Sequence, residues 1–437
     1  MGELVMETSA KPAITVTAWP GCGSRLLGEQ VGGAREDHRA YQGAGGYQAL
    51  AEPAELLAEV EASGLQGRGG AAFPLAVKLR TVRDSAGGAG GCAVVANGEE
   101  GEPASIKDRW LLRNRPHLVL DGLRLAAAMV AADRAYVYLS DEDSARSVEA
   151  ALAERPFGDG VVELCRVGPG YIAGEETAVT RAINGGPVKP TDKPPRPFQR
   201  GVGGLPTLVS NVETLANLPF LQRHGAAAFR SQGTTSSPGT FLATLTGAGL
   251  PPGLYEIPHG LPFTELLALH GVPSDKVTGA LLGGYFAGML NRAVLGATLD
   301  HETLRGLGAG LGCGAITVLT DDCPVAVAAS VLAYFDRENA GQCGSCFNGT
   351  AAMAAAAGAL RDGVATAEDV SRLRRWSVML RGRGACATLD AATNVAGTLL
   401  SQFPDAVARH LDNACESCRT NAFRAERPYE VEAVAYA

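Results

Sequence analysis

Between Cys92 and Val167 the chain alternates short β-branched runs with apolar helical periods, and this alternation constrains the fold more than any other feature. CAVVAN (92–97), AYVYLS (135–140) and VVELCRV (161–167) read as strands. HLVLDGLRLAAAMVAA (117–132) and SARSVEAALAE (144–154), lying between them, carry apolar residues at helical spacing. The expected product is a parallel sheet covered by helices, with ligands bound where loops leave the carboxyl ends of its strands.

Three glycine-bearing loops fit that position. GLQGRGGAAFP (64–74) follows the helical stretch AELLAEVEAS (54–63), and its glycines would let backbone approach a ligand and offer N–H groups to phosphate or flavin oxygens. It is not G-x-G-x-x-G and does not directly follow a strand, so alone it reads as an ordinary surface loop. NGEEGEP (97–103) leaves the first strand, and its carboxylates suit ribose hydroxyls or an amide while repelling free phosphate. Alone it is equally compatible with a solvated acidic loop. GPGYIAGEET (168–177) leaves the third strand with a Gly-flanked aromatic and two adjacent acids. Taken together, the three loops point to a pocket for a nucleotide with a planar ring, in which Arg68 and Tyr171 are cofactor-contact candidates beside the glycines and acids.

Further along, NGGPVKPTDKPPRPFQRGVGGLP (184–206) is either a functional loop or a linker, and NVETLANLPFLQRHG returns to helix. After SQGTTSSPG (231–239), the segments GTFLATLTG, GLYEIP, FTELLALHG and KVTGALLGG give two short strands, a helix and another strand, a compact α+β domain over 238–325. From VAVAASVLAYFDREN onward the chain is Ala-rich and helical, reading as a bundle with cysteines in its loops. A length of 437 residues accommodates about two to four domains. With 46% apolar and 19% charged residues the chain is a folded globular protein. A net charge of -8 without a basic block argues against nucleic-acid binding, because phosphates require concentrated positive charge. The opening MGELVMETSAKPAITVTAW has no basic stretch leading into a long apolar one, and no run approaches the roughly 18 apolar residues of a membrane span. The expectation is a cytoplasmic protein with no direct membrane insertion.

The ten cysteines favour thiol or metal chemistry over a disulfide framework. Cys343-x-x-Cys346 in ENAGQCGSCFNGT is compatible with half a metal site, a redox dithiol or a glycine-rich helix start. Zinc normally takes four ligands, and neither His-x(3–5)-His nor a second Cys-x-x-Cys stands at finger spacing near Cys343. The helical surroundings lack the β-α-β pattern of a redox dithiol. With Cys386 in the Gly-bearing loop GRGACATLD, three cysteines suit an iron–sulfur cluster, whose sulfides need backbone N–H donors nearby. Cys415-x-x-Cys418 reads as a second site or, with more weight, as a bystander near the chain end. Cys22, Cys92, Cys165, Cys313 and Cys323 read mostly as small buried hydrophobes.

The order and spacing of GLQGRGGAAFP, VVANGEEGEPASIKDR, GPGYIAGEETA, KPP, SNVETLANLP, ENAGQCGSC and GRGACATLD resemble one family over about residues 40 to 415. It is the flavin-bearing, NADH-oxidising subunit of respiratory complex I (the 51 kDa or F type), with the related diaphorase subunits of soluble hydrogenases and formate dehydrogenases. The resemblance implies an N-terminal segment (1–45), an α/β FMN/NADH-binding domain (46–237), a ubiquitin-like β-grasp domain of the soluble-ligand-binding type (238–325) and a C-terminal α-helical iron–sulfur bundle with its tail (326–437). It places FMN against Gly67, Gly69 and Gly70, with Lys78, Asn97, Glu99, Gly174, Asn211 and Thr214 as contacts. NADH would stack on the flavin beside Phe73, near Glu100, Glu102, Glu175, Glu176 and Lys193. The implied reaction is hydride transfer from NADH to flavin, then one-electron transfer through an iron–sulfur cluster to a ferredoxin-like protein or partner subunit. The cofactor carries that chemistry, so no acid–base side chain is expected.

Two departures from the family pattern stand out. The usual first cluster cysteine is Ala340 here, leaving Cys343, Cys346 and Cys386 to hold a [4Fe-4S] or [3Fe-4S] cluster. The aromatic residues that help sandwich adenine correspond to Thr81 and Arg196, and Arg196 brings NADPH into consideration. The alternative is a non-enzymatic scaffold or ligand-binding paralogue that has lost flavin or cluster chemistry. Gly67 to Gly70, Asn97 and Glu175-Glu176 count against it. A module of this kind would sit in the cytoplasm, free or peripheral to a membrane complex.

Overall fold

The computed structural model describes residues 14–28, 35–88, 90–155 and 162–433. The first thirteen residues, on which the expectation of no leader segment partly rests, lie outside the described residues. Ten strands are found among the described residues: β1 (Thr15–Ala18), β2 (Ala93–Asn97), β3 (Arg134–Leu139), β4 (Val162–Arg166), β5 (Thr207–Asn211), β6 (Thr240–Gly247), β7 (Gly253–Pro258), β8 (Gly279–Leu282), β9 (Met289–Asn291) and β10 (Ala315–Leu319). They form a four-stranded parallel sheet in the order β4-β3-β2-β5 and a six-stranded mixed sheet in the order β1-β7-β6-β10-β8-β9.

The parallel sheet is the one its alternating sequence predicts. The first crossover helix, Pro116–Val130, starts on a proline, whose fixed φ suits the first helical position. It crosses the short helix Val212–Ala216 at Gly122, where a Cβ would come within 2.1 Å of the Leu215 carbonyl oxygen, so only glycine permits the approach. The second crossover helix begins at Glu142, two residues before the expected start, because the Asp141 carboxylate accepts the Ser144 N–H at 2.8 Å. β5 is a strand the sequence reading missed. It follows the Pro/Gly-rich stretch directly, and its burial across the sheet leaves no polar/apolar alternation to detect.

In the mixed sheet β6 and β7 form an antiparallel pair, β10 runs parallel to β6, and β8 and β9 continue antiparallel beyond it. The strand from the N-terminal segment, β1, adds parallel to β7, from Thr15 opposite Gly253 to Ala18 opposite Glu256. What fastens this segment is a buried carboxylate. Glu256, fully shielded from solvent, accepts the N–H groups of Leu26 and Leu27 at 2.9 and 3.1 Å, accepts the Thr240 hydroxyl at 2.8 Å, and faces Arg25 at 3.7 Å.

Six helices follow among the described residues: Pro324–Glu338, Gly344–Arg361, Ala367–Met379, Thr388–Gln402, Pro404–Asp412 and Glu416–Asn421. Tyr334, Phe335, Met353, Leu360, Leu373, Leu389, Val395 and Leu399 form their shared core. From the last helix the chain runs back as a strap. Tyr285 donates to the Pro428 carbonyl, Val431 N–H donates to Pro103 O at 3.0 Å, and Arg109 reaches Glu432 O at 2.9 Å. None of the described helices is long and apolar enough to cross a membrane.

Replacing Glu256 by Ala leaves two buried N–H groups without their acceptor and Arg25 without its counter-charge, so we expect a loss of about 3–5 kcal/mol in unfolding free energy. Denaturant titration checks this, and a loss under about 1 kcal/mol, the size typical of a surface pair, would contradict it.

Candidate active site

A cleft of about 890 Å³, within the range of nucleotide-sized ligands, opens at the carboxyl end of the parallel sheet. Its floor is set by strand register: Asn97 and Asn211 end β2 and β5 as direct partners. Asn97 Nδ2 donates to Gly174 O at 2.8 Å, which joins the second and third loops across the cleft. Asn211 Nδ2 donates to Asp108 at 2.7 Å, while its oxygen accepts the Glu213 N–H at 3.0 Å and caps the helix that carries Thr214.

The glycine loop starts where helix Pro53–Ser63 ends on Gly64, a left-handed residue. It is closed by Gly67 N–H to Phe73 O at 2.9 Å and Leu75 N–H to Leu65 O at 3.0 Å. Gly67, Gly69 and Gly70 line the cleft, and a Cβ on Gly69 would meet Asn211 Cβ at 3.3 Å, a tight contact that a side chain could make only if the floor gave way by a few tenths of an ångström. Thr214 accepts the Arg68 N–H at 2.8 Å and so anchors the loop from below. Phe73 stands half-exposed at the mouth. Lys78 lies on the wall, where burial lowers its pKa, and donates to Val209 O at 3.2 Å.

Of the acidic residues, Glu99 is the one with unused bonding capacity. Its Oε1 accepts the Gly170 N–H at 3.4 Å, its buried Oε2 makes no close hydrogen bond, and burial pushes its carboxyl up to about 7 against the opposing pull of the Ser140 hydroxyl. Glu100 is fully engaged by Ser105, by the N–H groups of Asp108 and Arg109, and by the Arg109 guanidinium. Burial likewise pushes Glu102 up to about 8, although it accepts the Tyr285 N–H at 2.9 Å from the mixed-sheet domain. Glu175 caps helix Glu176–Ile183 and, with Glu176, brackets Lys193 at 2.6 and 3.2 Å. Burial alone would lower the Lys193 pKa, but these two carboxylates hold it above the usual lysine range. The Pro/Gly-rich stretch is therefore a wall of the cleft, contributing Lys193, Arg196, Pro197 and Phe198.

Two sequence-derived candidates are placed differently from the rest. The Arg68 side chain, 5% exposed, turns away from the cleft to the Thr240 carbonyl at 3.2 Å and to Glu213 at 3.9 Å, since a buried guanidinium requires acceptors and an anion. Tyr171 borders the cleft, but its ring packs edge-on against Tyr334 and Phe335 at 5.8 and 5.2 Å and joins the loop to the bundle. Ser105, Asp108 and Thr388 also line the cleft without having been singled out from the sequence, and Cys313, expected to be a small buried hydrophobe, is only partly buried and lines it too. Ser105 and Asp108 belong to the same run as the acidic loop and Thr388 to the GRGACATLD loop of Cys386, so each had a sequence signal. Thr81 lines the cleft with its hydroxyl donated to Val77 O at 2.7 Å, and Arg196 stands at the rim 3.6 Å from Glu176.

The cysteine loops close the far end. Cys343 directly precedes helix Gly344–Arg361, Cys346 is buried in its first turn, and Cys386 lines the cleft itself. Burial pushes the Cys346 thiol up to about 12, with Cys386 and Cys343 close enough to add to the effect. Ala385 N–H points to Cys343 Sγ at 3.4 Å, and Ser345 ties the two loops together through Arg383 O at 2.6 Å. Ala340 contributes only its carbonyl, which accepts from Lys189 at 2.9 Å. The donors suit the implied cofactors: glycines against the floor and an unpaired buried carboxylate oxygen fit a polyhydroxylated flavin nucleotide, and clustered thiols with a backbone N–H donor fit an iron–sulfur centre.

One part of the cysteine reading is corrected. Cys323 is not an isolated buried hydrophobe: its ligand atom and those of His410, Cys415 and Cys418 all lie within 4.8 Å of one another, an arrangement that could hold a metal ion and that adds weight to the second-site reading of the Cys415/Cys418 pair. The helical packing that brings Cys323 to His410 is invisible in a linear spacing.

Comparison with known proteins agrees with this geometry. Residues 60–220 match the Nuo51 FMN-binding domain, and residues 326–410 match the NADH-ubiquinone oxidoreductase-F iron-sulfur binding region. The second NADH-quinone oxidoreductase F chain of Rhizobium meliloti (strain 1021) is 32% identical over 85% of this chain and 94% of its own. The NADP-reducing hydrogenase subunit HndC of Solidesulfovibrio fructosivorans is 31% identical over 89% of this chain and 83% of its own. Among solved structures, an NAD+-reducing [NiFe]-hydrogenase in the H2-reduced state superposes with a TM-score of 0.76 at 31% identity, covering 82% of this chain. This chain spans 63% of that hydrogenase chain's length. With both cofactor domains matched in order and nearly the whole of an F-type relative aligned, the chain belongs to the F-type family of NADH-quinone oxidoreductase subunits, flavoproteins that oxidise NADH and transfer its electrons.

Proposed function

We propose that this chain is the NADH-oxidising module of a larger electron-transfer assembly, delivering single electrons to a ferredoxin-like protein or a partner subunit. The observation that carries the reading is the continuity of one cleft from the glycine loop, past the unpaired Glu99 oxygen, to Cys386. When bound, FMN supplies the conversion of a two-electron hydride donor into single electrons. Gly67, Gly69 and Gly70 form the bed for that cofactor, while Lys78, Asn97, Glu99, Gly174, Asn211 and Thr214 orient it. Phe73, Glu100, Glu102, Glu175, Glu176 and Lys193 shape the nicotinamide nucleotide side. Arg68 acts beneath the loop, and Tyr171 at the boundary with the bundle.

Cys343, Cys346 and Cys386 hold a cluster with three cysteine ligands, [4Fe-4S] or [3Fe-4S]. NADH is preferred over NADPH because Arg196, the cation suited to an extra phosphate, is already opposite Glu176. The domain division at 46–237, 238–325 and 326–437 is supported by the two sheets and the helical region. The antiparallel β6–β7 pair, the helix Phe263–His270 and the parallel β6–β10 pair support the β-grasp reading of the middle domain. The names of the relatives, as parts of larger enzymes, support a place among partner subunits, peripheral to a complex on the cytoplasmic side. The scaffold alternative is disfavoured by the retained donor set.

Purified anaerobically, the protein should be yellow, contain iron and labile sulfide, and be bleached by NADH faster than by NADPH in stopped-flow absorbance. A colourless, NADH-inert protein would overturn the assignment, and flavin without iron would remove the cluster from it. A second expectation concerns Glu99. Ribityl hydroxyls donate best to its ionised form, so FMN binding should draw the carboxyl down from about 7, and affinity should rise as pH increases through that value. Fluorescence titration of flavin-free protein should show this rise flattened in Glu99→Gln, and an unchanged pH profile in that variant would exclude Glu99 as a flavin contact.

A further inference from the structure

We propose that Cys323, His410, Cys415 and Cys418 form a second metal centre, a Cys3His site for one zinc ion that fastens the C-terminal strap. Their ligand atoms lie within 4.8 Å of one another, with Cys323 Sγ and His410 Nε2 at 3.6 Å. Ligands around a tetrahedral zinc, with bonds of about 2.0–2.3 Å, stand about 3.5–3.8 Å apart, so the group needs only a small contraction. An iron–sulfur cubane distributes its thiolates over separate iron atoms and spreads them further. The compactness therefore favours a single ion, and three thiolates with one imidazole favour zinc.

The surroundings are built for the same task. His410 is fully buried, and its Nδ1 lies 2.7 Å from Ala406 O, an acceptor that requires the proton on Nδ1. That bond fixes the tautomer and leaves the Nε2 lone pair facing the sulfurs, the usual outer-shell arrangement of a metal-bound histidine. Cys323 and Cys415 each stand directly before a helix, where the N–H groups of the first turn have no partner within the helix. Such donors offset the net negative charge of a zinc with three thiolates.

The site lies where the strap begins. Beyond it, Phe423 O accepts from Ser330 at 3.2 Å, Tyr429 donates to Asp322 at 2.6 Å, and Val431 closes on Pro103 beside the acidic loop of the cleft. The ion would thus join the start of the helical region to the chain end and hold the strap against the cleft's acidic wall. The site uses none of the cysteines proposed for the iron–sulfur cluster, so it stands or falls independently of that assignment.

Metal analysis of the purified full-length protein should find one zinc per chain in addition to iron, and zinc-edge X-ray absorption should show a shell of three sulfurs and one nitrogen. Cys418→Ser and His410→Gln should lose the zinc, retain flavin and iron, and be cut faster by protease beyond Asn413. If the variants do not fold, cobalt(II) substitution of the native protein decides, with strong thiolate-to-cobalt absorption and tetrahedral bands as the expected result. Absence of zinc, a zinc shell without sulfur, zinc retained in both variants, or additional iron and sulfide bound by these residues would each overturn the proposal.

Discussion

Lys107 is a cation with almost no contact with water, and the floor of the cleft depends on how it is neutralised. Its ammonium lies 2.7 Å from Asp108 and 3.0 Å from Glu213, themselves buried. Burial alone would lower its pKa, but Asp108, Glu213 and Glu100 outweigh that and keep it charged. Each carboxylate then performs a second task. Asp108 holds the Asn211 amide, Glu213 accepts the Leu242 N–H at 3.0 Å and faces Arg68, and Glu100 gathers the start of the helix Lys107–Asn114. A buried ion cluster of this kind specifies position more than it adds stability, because desolvation offsets most of the Coulomb attraction. Here it sets the glycine loop, the end of β5 and β6 of the mixed sheet against one another.

The site that results is a scaffold for borrowed chemistry. Most of its polar groups are already satisfied by one another: Glu175 and Glu176 by Lys193, Glu100 by Arg109, Glu102 by Tyr285. They shape the walls without competing for the ligand. Glu99, with one oxygen unpaired, is the exception. The acidic loop is also structural, since Glu102 takes an N–H from the mixed-sheet domain and Pro103 one from the C-terminal strap. Three parts of the chain therefore meet at the wall that faces the nucleotide. The zinc centre we propose lies at the other end of that strap.

Much of this was legible in the sequence because it is encoded locally. The period of 93–166 determined a parallel sheet, since short β-branched runs separated by apolar helical stretches leave few other ways to bury both faces. The loops after its strands could be singled out because ligand positions follow strand direction. The glycines of 67–70 and the pairs Cys343/Cys346 and Glu175/Glu176 are close in sequence, so their proximity was given in advance.

What only the tertiary structure decided are relations between residues far apart in the chain whose local signals are weak. β1 pairs with β7 across more than two hundred residues because Glu256 captures the turn at Leu26 and Leu27. Arg68 left the ligand surface because burial obliged it to face Glu213 and backbone carbonyls, a requirement that no motif expresses. Cys323 and His410, 87 positions apart, became neighbours through helix packing alone. Sequence periodicity determines which face of an element must be buried, whereas long-range charge neutralisation and packing determine which distant side chains share that interior.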